Sequence, residues 1–226
     1  MLQALLAAFR DEPAPGRARF PRAAEVAASD PAPRQGGGSL DVAGVPMREW
    51  LRRLRDDDRA ALGALYDALA TPLWRVAVLQ TGASESAEDV VQDVFLWLWT
   101  HRATIAPDTD LRVYLATAVR NRARNLAKHR KVVDTTASSY DGSVGAGLSQ
   151  PPQLADASLE AAEFLEAYRH ALTLLSEREM TAALLRWEES FTFEQIGVVL
   201  AVSTKSAQRI VLRVRDKMYE ALADFL

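Results

Sequence analysis

Five cations recur through one short stretch near the C-terminus: Lys205, Arg209, Arg213, Arg215 and Lys217, all within residues 203–217. The stretch follows an apolar segment, Thr192 to Leu200, after only a few residues. Two short helices joined this tightly, the second one basic, suit a helix-turn-helix whose second helix enters the major groove of duplex DNA. The chemistry on offer is hydrogen bonding to base edges and charge pairing with phosphate, not bond breaking.

A second basic row lies upstream. Arg120, Arg122, Arg124, Lys128, Arg130 and Lys131 fall within twelve residues that contain no acid. If residues 111–131 form one helix, a step of about 100° per residue gathers Leu111, Leu115, Ala118, Val119 and Leu126 into one stripe. Arg120, Arg124, Lys128 and Lys131 then fall on the far side. An exposed basic row usually carries interleaved acids as partners. Their absence here makes phosphate the economical counter-charge. Tyr114 and Asn121 lie near the basic side, where a ring and an amide suit stacked and splayed single-stranded bases. A lone tyrosine is more often a core or boundary residue, and that reading stays open for Tyr114. The preceding Ile105–Asp110 reads as a loop from its Pro and Asp content.

The third patterned stretch, Ser86 to Arg102, sets Val91, Val94, Phe95 and Leu98 in a core stripe bordered by Trp97. Glu85, Glu88 or Asp89, Gln92, Asp93 and Leu96 run opposite. An acidic stripe ending in an exposed leucine fits a docking face for a basic partner helix, and plain solubility is the competing explanation. Trp99 leans away from the core stripe and is expected to be exposed.

These stretches need helical elements to hold them. Residues 47–133 are helical by pattern, as are residues 158–226, and nothing reads as a strand. Ser176-x-x-Glu179 and Thr192-x-x-Gln195 match the capping box, and Ser203 suits the start of the basic helix. Leu184, Leu185, Ile196, Val199, Leu200, Val211 and Val214 are the expected core of the second unit. Residues 134–157 are polar and turn-rich, the composition of a flexible linker. Residues 1–46, rich in Ala, Pro, Arg and Gly, are expected to be disordered, with Met47 as an alternative translation start. The expected fold is therefore all-α: two small helical domains, 47–133 and 158–226, on a flexible tether, with a C-terminal helix-turn-helix.

The 226 residues carry a net charge of −3, so any affinity for nucleic acid must come from local patches. There are no cysteines, which removes disulfides and thiolate metal sites and fits a reducing cytoplasm. No basic residue precedes the apolar Met1–Phe9, so a secretory signal is not expected. No apolar run reads as a membrane span, and no membrane insertion is expected. His101, His129 and His170 lack metal-ligand spacing, and no catalytic triad or Gly-rich phosphate loop stands out. Catalytic residues, metal and cofactor are accordingly expected to be none.

At this point the chain resembles a known family. Ala64-Leu-Tyr66, Glu88 through Trp99 and Val119-Arg-Asn121 resemble region 2 of bacterial sigma-70-type factors. Leu175 through Glu179, and Phe193-Glu-Gln-Ile-Gly197 through Arg215, resemble region 4. Two signatures in order, with only a short linker, are similar to the extracytoplasmic-function (ECF) subgroup. The resemblance implies a non-enzymatic factor that binds RNA polymerase core and initiates transcription at promoters. It implies that Asp89, Gln92, Asp93 and Leu96 contact the β′ clamp helices. It implies that the Ile105–Asp110 loop, with Tyr114, Arg120, Asn121, Arg124 and Lys128, recognises the −10 element as strands separate. It implies that Lys205, Ser206, Gln208, Arg209 and Arg213 read the −35 element as duplex. An anti-sigma factor is the expected controlling partner. Three departures stand out: Tyr114 where a Trp is expected, Ile210 where relatives carry Arg, and Lys205 in place of a small residue. The competing readings are a helix-turn-helix regulator that acts without polymerase, and a decoy that sequesters an anti-sigma factor.

Overall fold

The computed structural model describes residues 45–134 and 159–225, and in this span the fold is all-α. The expected N-terminal extension, through residue 44, and the linker, from residue 135, lie outside the described residues. The first unit contains α1 (Met47–Arg55), α2 (Arg59–Thr81), α3 (Ser84–His101) and α4 (Leu111–Asp134). The second contains α5 (Leu159–Thr173), α6 (Glu177–Ala183) continuing into a wide π turn (Leu184–Glu188), α7 (Phe193–Leu200) and α8 (Thr204–Ala221).

α2 is the axis of the first unit. Its Leu65, Leu69, Leu73, Val76 and Ala77 are buried, and α3 and α4 pack against it. The helix begins at Asp58, whose carboxylate accepts from the Ala61 amide at 3.0 Å, and stops at Gly82 in the left-handed region, φ 67°. Contrary to the sequence reading, α2 is long and apolar enough by length and composition to cross a membrane. Here its apolar face forms the core of a helical bundle.

The second unit is built on capped helix starts, as the pattern predicts. Ser176 Oγ accepts from the Glu179 amide at 3.3 Å, while the Glu179 carboxylate accepts from the Ser176 amide at 2.9 Å. Thr192 and Gln195 repeat the exchange at 3.2 and 2.9 Å, and Ser203 Oγ accepts from the Ser206 amide at 3.2 Å. Each cap satisfies amides that would otherwise lack partners. All seven expected core residues of this unit are buried.

The turn between α7 and α8 is close-packed around Gly197. A Cβ there would meet the Val202 carbonyl oxygen at 2.9 Å and the Thr204 nitrogen at 3.4 Å. The chain reverses through Ala201 at φ 54°, with the Val202 amide donating to the Gly197 carbonyl at 2.9 Å. A non-glycine residue in this region costs about 1–2 kcal/mol.

Two outcomes test this turn by thermal or urea unfolding. Gly197→Ala forces the backbones apart and is expected to destabilise the second unit by about 1–3 kcal/mol. Ala201→Gly relieves the left-handed conformation and is expected to be neutral or stabilising by up to about 1 kcal/mol.

Candidate nucleic-acid interface

The basic face of α8 is open. Lys205, Arg209 and Arg213 are exposed, and Ser206 and Gln208 are half-buried on the same N-terminal turns. The last two cations of this helix are engaged within the unit. Lys217 donates to the Glu179 carboxylate and to the Leu174 carbonyl, both at 2.9 Å, and Arg215 pairs with Asp216 at 3.2 Å. Lys217 therefore ties α8 to the start of α6. Burial pushes the Glu179 carboxyl up, but hydrogen bonds from Lys217 and Ser176 outweigh it and hold the group below the usual range.

The face of α3 assigned to docking is also open. Asp89, Gln92, Asp93 and Leu96 are all exposed, Leu96 at 63%. Asp93 is not free: its carboxylate accepts from Arg122 Nε of α4 at 3.1 Å. The exposed tryptophan is Trp97, 42% accessible, with its ring stacked on His101 at 4.3 Å between centroids. Trp99, expected outside, is instead half-buried, with the Arg102 guanidinium 4.2 Å from its ring centroid. The wider reach of an indole let it turn back onto the bundle.

Between α3 and α4 lies a cleft of about 240 Å³ lined by Asp93, Val94, Trp97, Tyr114, Ala118 and Arg122. Tyr114 is half-buried, with its ring 5.9 Å from Trp97, so it stands at the boundary rather than free on the surface. Burial raises its phenol above the ordinary value. Asn121 and Lys128 are exposed and Arg124 is half-buried. The loop before α4 is held from beneath, because Arg55 donates to the carbonyls of Arg102 and Ile105. Asp110 closes it by capping α4, accepting from the Arg112 and Val113 amides at 3.1 and 3.3 Å.

The basic row of α4 needs a correction. Arg120, placed by the helical projection on the solvent side, is only 2% exposed. It is covered by the second unit, where Nη1 donates to the Val199 carbonyl near the C-terminus of α7 at 3.1 Å. A projection assigns a residue to a side of its own helix; it does not know what another unit lays over that side.

The covering contact is a continuous seam, and the buried apolar residues of both units form one cluster. α7 lies on α4, and α6 lies on α2. Among the described residues, four further residue pairs make polar contacts across the seam. Gln195 Nε2 donates to Asp110 at 2.9 Å, and Arg112 donates to the Glu189 carbonyl at 2.8 Å and carboxylate at 3.1 Å. Gln80 Nε2 donates to Thr181 at 3.2 Å, and Arg75 pairs with Glu188. The sequence reading missed Arg75, Gln80, Arg112, Glu188 and Glu189. Arg75 and Gln80 did carry a signal, being polar residues set into the most apolar helix.

The matches with known proteins fit these surfaces. Residues 65–132 match the family model for sigma-70 region 2. The chain is 40% identical over 83 residues to the ECF RNA polymerase sigma factor SigL of Mycobacterium tuberculosis, which covers 35% of this chain and 47% of that protein. The chain thus carries a sigma-70 region 2 over residues 65–132 and is similar to ECF RNA polymerase sigma factors. Its match thus spans about half the length of these first relatives. A longer match, to the RNA polymerase sigma factor CarQ of Myxococcus xanthus, is 28% identical and covers 77% of this chain and 96% of that one. Two solved structures share the fold. CnrH in complex with the cytosolic domain of CnrY has a TM-score of 0.54 at 18% identity, over 80% of this chain and 99% of that one. The sigma factor RpoE in complex with the anti-sigma factor NepR, from Bartonella quintana, has a TM-score of 0.52 at 22% identity, over 72% and 98%.

The Lys217–Glu179 tie gives a pH signature. A carboxyl held low in the folded state contributes stability that is present above its unfolded pKa and lost as pH falls through the folded one. Glu179→Gln is therefore expected to lower stability at neutral pH and to flatten the acid limb of the unfolding profile. An unchanged acid limb would show that the tie is not formed.

Proposed function

We propose that this chain is an ECF sigma-70 family member that acts in the cytoplasm as a promoter-specificity factor for RNA polymerase and is not an enzyme. The observation that carries the reading is one chain holding both a region 2 match over residues 65–132 and, downstream, a capped helix pair with Lys205, Arg209 and Arg213 facing solvent. A regulator that needed only operator duplex would have no use for the first unit.

The division of labour follows from the side chains. Exposed Leu96, flanked by Asp89, Gln92 and Asp93, offers an apolar anchor within an anionic rim, suited to the polymerase β′ clamp helices. The Ile105–Asp110 loop and α4, with Tyr114, Arg120, Asn121, Arg124 and Lys128, supply rings, amides and cations for the −10 strand as it unpairs. α8 presents Lys205, Ser206, Gln208, Arg209 and Arg213 to the −35 duplex, where a bidentate side chain discriminates bases by roughly 1–3 kcal/mol. Each contact set is modest, and holding both on one polymerase makes the second binding event effectively intramolecular. An anti-sigma factor is the expected antagonist, in keeping with the complex that the RpoE neighbour forms with NepR.

Run-off transcription with purified core polymerase on a library of promoters tests this reading: specific transcripts are expected, and none would refute it. Two substitutions separate the surfaces. Asp89→Arg with Leu96→Ala is expected to weaken core binding about tenfold or more, with duplex affinity intact. Arg209→Ala with Arg213→Ala is expected to leave core binding unchanged, lower −35 affinity and reduce its dependence on salt.

A further inference from the structure

We infer that Arg55, Asp57 and Arg102 form a latch that sets the shape of the Ile105–Asp110 loop and thereby its choice of base in the −10 strand. The inference rests on the role proposed above for that loop. None of the three is among the residues proposed to touch DNA.

The loop has little of its own to hold it. Ile105 is buried, while Ala106, Pro107 and Asp108 are exposed. Its backbone supplies a turn, from the Thr109 amide to the Ala106 carbonyl at 3.1 Å. At the far end Asp110 caps α4. At the near end the fixing comes from the turn between α1 and α2. Arg55, the last residue of α1, donates to the carbonyls of Arg102 and Ile105, 47 and 50 residues further along the chain. Arg102 reaches back the other way. Its guanidinium donates to the Asp57 carboxylate and to the Trp99 carbonyl, and lies 4.2 Å from the Trp99 ring centroid. An arginine thus crosses in each direction between turn and loop. A planar guanidinium holds two acceptors at fixed angles, which a lysine ammonium does not.

This exchange is poorly suited to stabilising the fold and well suited to fixing a shape. The Asp57 side chain is 70% exposed, and an ion pair so open to water adds little to folding. Arg102 makes it with its Nε buried and without a hydrogen-bond partner, which costs free energy. Asp57 stands at φ 60°, a conformation that disfavours side chains, although aspartate tolerates it better than most. The neighbouring acids are used locally: Asp56 pairs with Arg52, and Asp58 caps α2 and pairs with Arg53. Asp57 is the one of the three that reaches Arg102. A left-handed residue and an unpaired buried donor are the kind of strain that persists where a site must be held in one form. What they secure here is the position of the exposed apex, Ala106 to Asp108, beside the start of α4. Groups that discriminate between ligands must be held to within about 0.5 Å, and a loop free to shift would accept different bases alike.

Run-off transcription tests this, with core polymerase and a promoter set that keeps one −35 element and carries each base in turn at each −10 position. Wild type is expected to favour one base by about fivefold or more at a −10 position. Asp57→Gly removes the carboxylate and keeps the left-handed turn, and Arg55→Lys keeps the charge and loses the fork. Both are expected to reduce that preference to within about twofold at one position. Preferences elsewhere, core affinity and the thermal midpoint are expected to stay as in wild type. Asp57→Asn keeps an acceptor oxygen and is expected to retain the preference. A merely structural role would lower the midpoint and weaken all promoters alike, with their ratios intact. That result, or unchanged ratios without any loss of stability, overturns the latch. Replacing Ala106, Pro107 and Asp108 together by glycine separates the two possible failures. A preference lost in this variant but kept in Asp57→Gly and Arg55→Lys refutes the latch and leaves the role of the loop standing. A preference kept in it refutes the role of the loop, and the latch falls with it.

Discussion

A buried guanidinium must have an acceptor, and in this protein the acceptor for Arg120 is a carbonyl near the end of the first helix of the helix-turn-helix. That bond joins the two units of the chain. It completes the end of α7 after the turn has used the neighbouring carbonyls, and it removes the central cation of α4 from solvent. The apolar packing beneath it, through Phe191 and the α2 face, supplies most of the adhesion. The polar contacts fix which residues face each other and set how easily the faces part. The conformation described is thus one in which the two basic helix faces differ: that of α8 is open, while part of α4 is covered.

This asymmetry gives the architecture a physical logic. The three cations of α8 proposed to meet duplex, Lys205, Arg209 and Arg213, are exposed. Arg120, by contrast, is covered in the conformation described. The Leu96 face and the seam do not coincide, because Leu96 lies on α3 and the seam is formed on α2 and α4. The Arg122–Asp93 pair links α3 to α4 at the cleft between Trp97 and Tyr114.

Much of this was legible in the sequence, for stated reasons. Capping boxes at Ser176 and Thr192, and the Ser203 cap, are local hydrogen-bond patterns, and they appear where the residues place them. The core stripes of α3, α4 and α7 follow from helical periodicity alone. The exposed leucine and acids of α3 follow from the same rule. What could not be read is whatever depends on one unit meeting the other. Arg120 is polar, helical and opposite an apolar stripe, so every local rule assigns it to solvent. Its burial is a tertiary fact. Trp99 fails similarly, since Arg102 draws its ring back to the bundle. The roles of Arg75 and Gln80 were half visible as polar residues in an apolar helix, but their partners lie more than a hundred residues away.

The most direct test of the account is to ask whether the seam forms in solution. Arg112→Cys with Glu189→Cys places the only two thiols of the chain across the seam, where a short reducible linker can join them. The account predicts that the linker joins the two thiols within a single chain, and that reduction releases them. Linking between separate chains only, or no linking at all, would contradict it.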